Sequence, residues 1–443
     1  MRVVFPDYVR QAIDLLEQAG FEAWAVGGCV RDSLMGRTPH DWDLTTSATP
    51  PEMRQVFSGL PTLDTGIQHG TLTVLLDGQP LEITTYRIDG SYADGRHPDG
   101  VTFTPDLRED LARRDFTINA MACHPQRGLV DAFGGQEDLR RGLIRCVGEP
   151  DRRFSEDALR ILRALRFGAV LDFQLEPEAA ASLLKLRQGL CQVAAERIWS
   201  ELSRLLCGPR AGEMLRQFAP VFQVFLPELV RMVGFEQHTP YHLWDVWEHT
   251  VRAVEAVEPE LVLRLTMLLH DIGKPACFYL DPAGQGHFKG HPALSREMAA
   301  AILHRLRVEQ QLSRQVLTLI QYHDVNLPHT NAGILRWLGR LGEPLFFQLL
   351  AVKTADNLAQ NRDYSDRVPQ LEDLARRARQ LLAEGRCFRR EQLAVNGRDL
   401  LALGCRPGRP VGEALDWLLE QVVSGSCPNE REALLEKWRT AEK

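Results

Sequence analysis

The chain has no CxxC pair. Its nine cysteines are odd in number and scattered through 443 residues. That excludes a disulfide framework and a clustered-thiolate zinc site, and it suits reduced thiols in a cytoplasmic protein. No apolar run approaches the roughly 18 residues needed to read as a membrane span. The opening MRVVFPDYVRQAIDLLEQAG lacks an apolar stretch with a small-residue cleavage site, so it reads as an amphipathic helix and not a signal peptide. Positive charge is also short. The formal net charge is −7, so contact with nucleic acid must rest on local basic patches. Internal repeats and low-complexity tracts are absent. What is present is an ordinary globular composition, 44% hydrophobic, in a length that at roughly 150 residues per domain suggests two to four domains.

Along the chain, FEAWAVGG (Phe21 to Gly28) reads as a short apolar strand ending in glycines, and Cys29 to Leu34 as a helix. HDWDL is strand-like. GTLTVLLDGQPLEITTYRID reads as a hairpin turning at Asp77-Gly78. Residues 89–100 are turn formers almost throughout and read as a mobile loop. VTFTPD suggests one more strand. After about Leu107 the pattern predicts helix to the end, with joints near Gly208-Pro209, near Pro227 and at the Pro/Gly cluster of 404–412. The expected class is α+β: a small head with a mixed sheet and helices, then an elongated all-α body.

The chemistry starts in GGCVRDSLMGRTPHDWDL. Asp41 and Asp43 are two apart, which on a strand places both on one face. Two carboxylates on one face repel and call for a cation, and Mg²⁺ suits one or two carboxylates plus substrate phosphates. Glu82 in LEITTYR offers a third acid from a face it shares with Thr84 and Tyr86, and three acids on adjacent strands suit two-metal phosphoryl transfer. The Gly27-Gly28 turn lets backbone approach phosphates, the helix that follows offers N–H donors, and Arg31 can clamp an oxygen with two N–H groups.

RRDFTINAMA (113–122), VDAFGGQEDL (130–139) and SEDALRILRALRF (155–167) follow in order. With the strand–GG–x–V–R–D and DxD segment, they resemble the class II tRNA nucleotidyltransferases. These are the CCA-adding enzymes and bacterial poly(A) polymerases of the polymerase β-like superfamily. The resemblance covers about the first 210 residues, and Ala132 stands where proline is usual. It implies a polymerase β-like nucleotidyltransferase head in which Asp41 and Asp43 hold Mg²⁺, Glu82 is the third acid, and Gly28, Arg31 and Arg114 lie against the triphosphate.

Asp157 and Arg160 stand three apart on a predicted helix and so are neighbours. A carboxylate accepts hydrogen bonds and a guanidinium donates them. Cytosine and adenine both present an amino donor beside a ring-nitrogen acceptor, whereas uracil and guanine present the reverse. One Asp–Arg pair therefore admits C and A, and a wrong base leaves polar groups unpaired at roughly 1–3 kcal/mol each. Arg163 and Arg166 continue the series but drift round the helix by about 60° per step, toward triphosphate or tRNA. Two basic stretches, Arg140, Arg141, Arg145, Arg152 and Arg153 running on into these arginines, and Arg376 to Arg390, suit contact with RNA phosphates. Within the family, lineages that add only CC generally lack the turn-rich loop. Its presence at 89–100 favours full CCA or A addition.

Histidines cluster in 238–330. Adjacent His270-Asp271 with distant His249 and Asp356 resembles the HD phosphohydrolases. That pattern implies His249, His270, Asp271 and Asp356 around one metal, with His291 and His323 offering a second. The donors suit Ni²⁺, Co²⁺, Mn²⁺, Fe²⁺ or Zn²⁺, and such a site activates water against a phosphate ester. A damaged tRNA end carrying a 2′,3′-cyclic phosphate is the substrate this suggests.

The expected organisation is a head (1–138), a neck with the nucleotide-selecting helix (139–208), a helical body with an HD domain (209–365) and a tRNA-binding tail (366–443). The expected function is template-independent addition of CCA to tRNA 3′ ends from CTP and ATP in the cytoplasm, with no membrane or DNA partner. The competing readings are an A-adding enzyme or poly(A) polymerase, an HD metallohydrolase whose head only binds RNA, and a non-enzymatic tRNA-binding factor. The three head acids count against the last two.

Overall fold

The computed structural model describes residues 3–90, 100–361, 363 and 367–441. The centre of the turn-rich loop, 91–99, lies outside the described residues. The chain divides into two compact units, Met1–Pro227 and Glu228–Lys443, so Pro227 is a joint and Gly208-Pro209 lies inside the first unit.

The first unit is built on a seven-stranded mixed sheet. Its strands are β1 (Ala23–Val26), β2 (Asp43–Thr46), β3 (Thr62–Gly66), β4 (Thr71–Leu76) and β5 (Gln79–Thr85). Then come β6 (Arg87–Asp89) and β7 (Val101–Phe103), which pair as a separate ribbon, and finally β8 (Met121–His124) and β9 (Gly128–Asp131). The spatial order is β3-β4-β5-β2-β1-β8-β9. Only β2 and β5 run parallel. The β4–β5 hairpin turns at Asp77 (φ 51°) and Gly78 (φ 74°), the two left-handed residues that match a turn to strand twist.

Alternation along the strands divides the sheet into two faces. Ala25, Leu44, Leu72, Val74, Leu81 and Ile83 enter one core with Val9, Ile13 and Leu16 of the helix Asp7–Gln18 and Met53 of the helix Pro50–Val56. The other face carries the smaller cluster of Trp24, Val26, Tyr86, Leu111 and Ala122. By register it also carries Asp43, Thr45, Glu82 and Thr84.

The expectation of helix throughout after Leu107 is corrected by β8 and β9. β8 is buried along its whole length between β1 and β9, so it shows no polar alternation. A short apolar run of that kind cannot be told from a buried helix by periodicity. Beyond β9 the first unit is helical apart from the two-residue pair Leu143–Ile144 with Gln174–Leu175. Its longer helices are Leu159–Leu171, Pro177–Leu186 and Ala195–Leu206.

Among the described residues, the only strands of the otherwise helical second unit are the small pair Tyr279–Leu280 and Gly286–His287. The helix Leu261–Leu269, LVLRLTMLL, is buried on all sides from Val262 onward, as expected for an apolar helix at the centre of a bundle. Around it pack the helices Val246–Ala256, Gln310–Tyr322 and Glu343–Leu358. A separate core near the C-terminus is formed by Val395, Leu400, Leu418, Val422 and Leu434. All nine cysteines are free thiols. Among the described residues, no helix is long and apolar enough to cross a membrane.

Candidate active site and candidate metal centre

In the first unit Trp42 decides where the two aspartates point. Its ring is buried against Phe5, with centroids 5.3 Å apart, so its neighbours Asp41 and Asp43 must turn outward. Asp43 pairs in register with Glu82 on the parallel neighbour β5. The three acids thus meet on one patch, although Asp41 precedes the strand and does not lie within it. Burial raises the Asp43 pKa and the Arg114 charge lowers it, while the Glu82 and Asp41 charges raise it further, with a net upward result. Crowded acids of this kind are relieved by a cation.

Asp41 and Asp43 open into a cavity of about 620 Å³ whose lining has eight arginines against five aspartates. Glu82 stands beside Asp43 without lining it. Gly27 has φ 78°, and a Cβ there would come within 3.0 Å of the Arg114 guanidinium, so glycine serves both the turn and the close approach.

The arginines are held by a lattice. Arg31 donates from Nε to Asp32 and from Nη1 to Asn119, each at 2.8 Å. The Asn119 amide donates to Asp115 (3.2 Å), which also accepts from Arg163 at 2.8 Å. Arg166 pairs with Glu201. Three guanidiniums surround the Phe167 ring, those of Arg166, Arg31 and Arg163 at 3.9, 5.0 and 5.6 Å from its centroid. Burial opposes ionisation of Asp115, but the charge and hydrogen bond of Arg163, with help from Asn119 and Arg160, outweigh it and bring its pKa down to about 2.

Asp157 and Arg160 both line the cavity, with one correction. They do not share a helix. One helix ends at Glu156, the next starts at Leu159, and Asp157 between them is extended (φ −143°, ψ 106°). The physical reason is its side chain, which accepts from the Leu159 N–H at 3.0 Å and so competes with helical backbone bonding. Each is also held by other partners. Asp157 is held by Arg197 at 2.8 Å, and Arg160 by Glu156 at 2.6 Å and by the Arg153 carbonyl at 3.1 Å.

Sequence reasoning missed Asp115, Asn119, Glu156, Arg197, Glu201 and Arg204. Glu201 left a signal. It falls on the buried face of its amphipathic helix with Ile198, Leu202 and Leu205, where a carboxylate requires a partner. Several arginines of the basic stretches are ion-paired: Arg140 with Glu137, Arg145 with Asp138, Arg152 with Glu156, Arg376 with Asp373 and Arg390 with Asp416.

The second unit brings all six predicted metal-site residues together, as two groups sharing Asp271: His249, His270, Asp271 and Asp356, and Asp271, His291 and His323. His270-Asp271 caps the buried central helix. In each histidine Nδ1 faces a backbone carbonyl: that of Met267 (2.7 Å), Phe288 (2.9 Å), Ile320 (2.7 Å) or Ala359 (3.3 Å). A carbonyl only accepts, so Nδ1 carries a proton and Nε2 is the ring atom left facing the centre. There the Nε2 atoms meet carboxylates or one another. His249 Nε2 is 3.0 Å from Asp356, His270 Nε2 is 3.1 Å from Asp271, and His291 and His323 face each other at 3.1 Å. Imidazole nitrogens and carboxylates that converge in this way can hold a metal ion, and carbonyl-anchored imidazoles are the usual outer support of metal ligands. Lys274, with Nζ 2.7 Å from Asp271, supplies part of the balancing charge.

Residues 23–145 match the family model of the Poly A polymerase head domain. Residues 172–232 match that of the RNA and SrmB- binding site of polymerase A, and 292–438 that of tRNA nucleotidyltransferase domain 2. The class is therefore a nucleotidyltransferase of the poly(A) polymerase type. The CCA-adding enzyme of Levilactobacillus brevis is 34% identical over 437 residues, covering 97% of this chain and 96% of that protein. The CCA-adding enzyme of Leuconostoc mesenteroides is 50% identical over 200 residues, which is 45% of this chain and about half (49%) of that protein. The chain belongs to the CCA-adding enzyme family. The crystal structure of the Bacillus stearothermophilus CCA-adding enzyme in complex with CTP superposes over 99% of each chain with a TM-score of 0.71 at 29% identity. The Thermotoga maritima CCA-adding enzyme complexed with tRNA shares the fold, at TM-score 0.63 and 20% identity over 100% of this chain and 97% of that one.

The lattice has a measurable acid limit. The Asp115 pKa falls from an ordinary 3.8 to about 2 on folding. Its ionised form therefore adds stability above about pH 4, and this is lost as pH falls toward 2, in all about 2 kcal/mol. The unfolding free-energy gap between wild type and Asp115→Asn, measured by denaturant titration, should be constant near neutrality and shrink by about that amount below pH 4. A gap independent of pH contradicts the pairing.

Proposed function

We propose that this protein adds CCA to tRNA 3′ ends in the cytoplasm, from CTP and ATP and without a nucleic-acid template. The observation that carries the reading is the single cavity in which the Asp41/Asp43 patch meets Asp157, Arg160 and an excess of arginines. Asp41, Asp43 and Glu82 suit Mg²⁺, which when bound activates the tRNA 3′-hydroxyl and stabilises the leaving pyrophosphate. Arg31 and Arg114 flank the glycine turn where a triphosphate would lie, with Arg163 and Arg166 also in the cavity lining. Asp157 accepts from the amino group of cytosine or adenine, and Arg160 donates to the adjacent ring nitrogen. Because each is already fixed by other partners, the pair reads a base without first rearranging. Residues 1–138 act as the head, 139–208 as the neck, 209–365 as the helical body with the metal centre, and 366–443 as the tRNA-binding tail.

A second activity belongs to the second unit. His249, His270, Asp271, Asp356, His291 and His323 suit one or two transition-metal ions, which when bound supply an activated water for hydrolysis of a phosphate at an RNA 3′ end. The support is the convergence of imidazole nitrogens and carboxylates described above.

Incubation of the full chain and Mg²⁺ with tRNAs ending at the discriminator base, C or CC tests the first activity. With CTP and ATP together, the first tRNA should grow by CCA and stop, and UTP or GTP should not be used. Growth only of the CC-ended tRNA by one A makes this an A-adding enzyme, and long A tracts make it a poly(A) polymerase. For the second unit, metal analysis of the purified chain should find at least one transition-metal ion that His270→Ala loses while CCA addition persists. Equal metal content in the two proteins removes that reading.

A further inference from the structure

Among the described residues, the candidate metal centre of the second unit reaches a pocket at Asp356. Its histidines and Asp271 are all under a tenth exposed, whereas the Asp356 side chain is 20% exposed. Asp356 and His323 line a pocket of about 90 Å³ together with Lys353, Arg367, Asn326 and Gln360. Lys353 lies one turn before Asp356 on the same helix, hence on the same side. Its Nζ donates to the His323 carbonyl at 2.6 Å, so the ammonium is tied to a ligand-bearing segment. Arg367 starts the helix Arg367–Ala383 and its charge bears on Lys353. Asp324 is the other acid in the lining. Lys353 and Arg367 balance the two carboxylates, and with four amide side chains in the lining they make a vestibule suited to an anion beside the candidate metal centre. Its volume is far below the roughly 300 Å³ where ligand pockets begin, so it has room for a tetrahedral anion and no room for a nucleobase.

We propose that this vestibule holds a terminal phosphate, with Lys353 and Arg367 on the phosphoryl oxygens, and leaves the neighbouring base outside, so that the metal centre handles phosphate ends irrespective of the terminal base. The inference rests on the metal-centre reading above. In the hydrolysis it serves, the oxygen of water bonds to phosphorus and the phosphorus–ribose oxygen bond breaks. The water's proton ends on the ribose oxygen, giving a free hydroxyl and inorganic phosphate with no redox change. Arg367 is a binding residue here, suited to two parallel hydrogen bonds to a phosphate.

The test is calorimetric binding to the full chain loaded with Mn²⁺ or Ni²⁺, with metal content measured in parallel. The probes are inorganic phosphate, glycerol phosphate and short RNAs ending in each of the four bases, with a 3′-phosphate or a 3′-hydroxyl. The 3′-phosphate should tighten RNA binding by a similar factor for every terminal base. Arg367→Gln should weaken inorganic phosphate at least tenfold with unchanged metal content. RNA ends binding much tighter than glycerol phosphate assigns the site to RNA, and equal binding assigns it to small phosphomonoesters. Full-strength phosphate binding in Arg367→Gln, a preference for one terminal base, or no phosphate binding by the loaded wild type overturns the proposal. A chain that retains no metal, yet binds phosphate in an Arg367-dependent way, refutes the metal-centre reading and leaves the vestibule standing.

Discussion

Like-charge repulsion is the constraint on which the first unit depends. Eight arginines line one cavity, and unscreened guanidiniums at that density would force the walls apart. Seven are each held by a carboxylate: Arg31 by Asp32, Arg113 and Arg114 by Asp110, Arg160 by Glu156, Arg163 by Asp115, Arg166 by Glu201 and Arg197 by Asp157. Phe167 takes three of the guanidinium faces. The result is a surface that stays basic enough to attract a triphosphate, yet whose side chains keep fixed positions before any ligand arrives. Fixed donors and acceptors are what protein-directed base choice requires, because a mobile pair could adapt to the wrong base at little cost.

The second unit meets the opposite problem with the same economy. There the crowded groups are potential metal ligands. Backbone carbonyls at the ends of four packed segments hold the histidine Nδ1 atoms, so four Nε2 atoms and two carboxylates point inward. Lys274 offsets one carboxylate charge. Each unit thus prearranges charge of one sign around the place where the other sign belongs.

Much of this was legible in the sequence. Asp41 and Asp43 are two apart, so period two predicts their shared face, and Glu82 stands out as a third acid on a strand face with Thr84, although the parallel β2–β5 pairing that sets it beside Asp43 shows only in the fold. The six candidate metal-site residues are picked out by the adjacent His270-Asp271 and the resemblance of the histidine and aspartate pattern to HD phosphohydrolases. Other features were hidden for physical reasons. β8 carries no alternation because both its faces are buried. The helix break at Asp157 comes from a local side-chain bond that spacing does not reveal. The partners of the arginine lattice lie far apart in the chain, as Arg197 and Asp157 or Arg31 and Asn119 do. Only folding shows which carboxylate holds which guanidinium.

The central claim is that held side chains, and not a template, choose the base. Nucleotide selectivity of Arg197→Met tests it most directly, since Arg197 fixes the Asp157 carboxylate at 2.8 Å. Single-turnover incorporation of CTP, ATP, UTP and GTP would be measured for the variant and the wild type. The account predicts that the preference for CTP and ATP over UTP and GTP falls by about tenfold or more, the equivalent of one lost polar contact, while CTP is still incorporated. An unchanged preference in an active variant would contradict it.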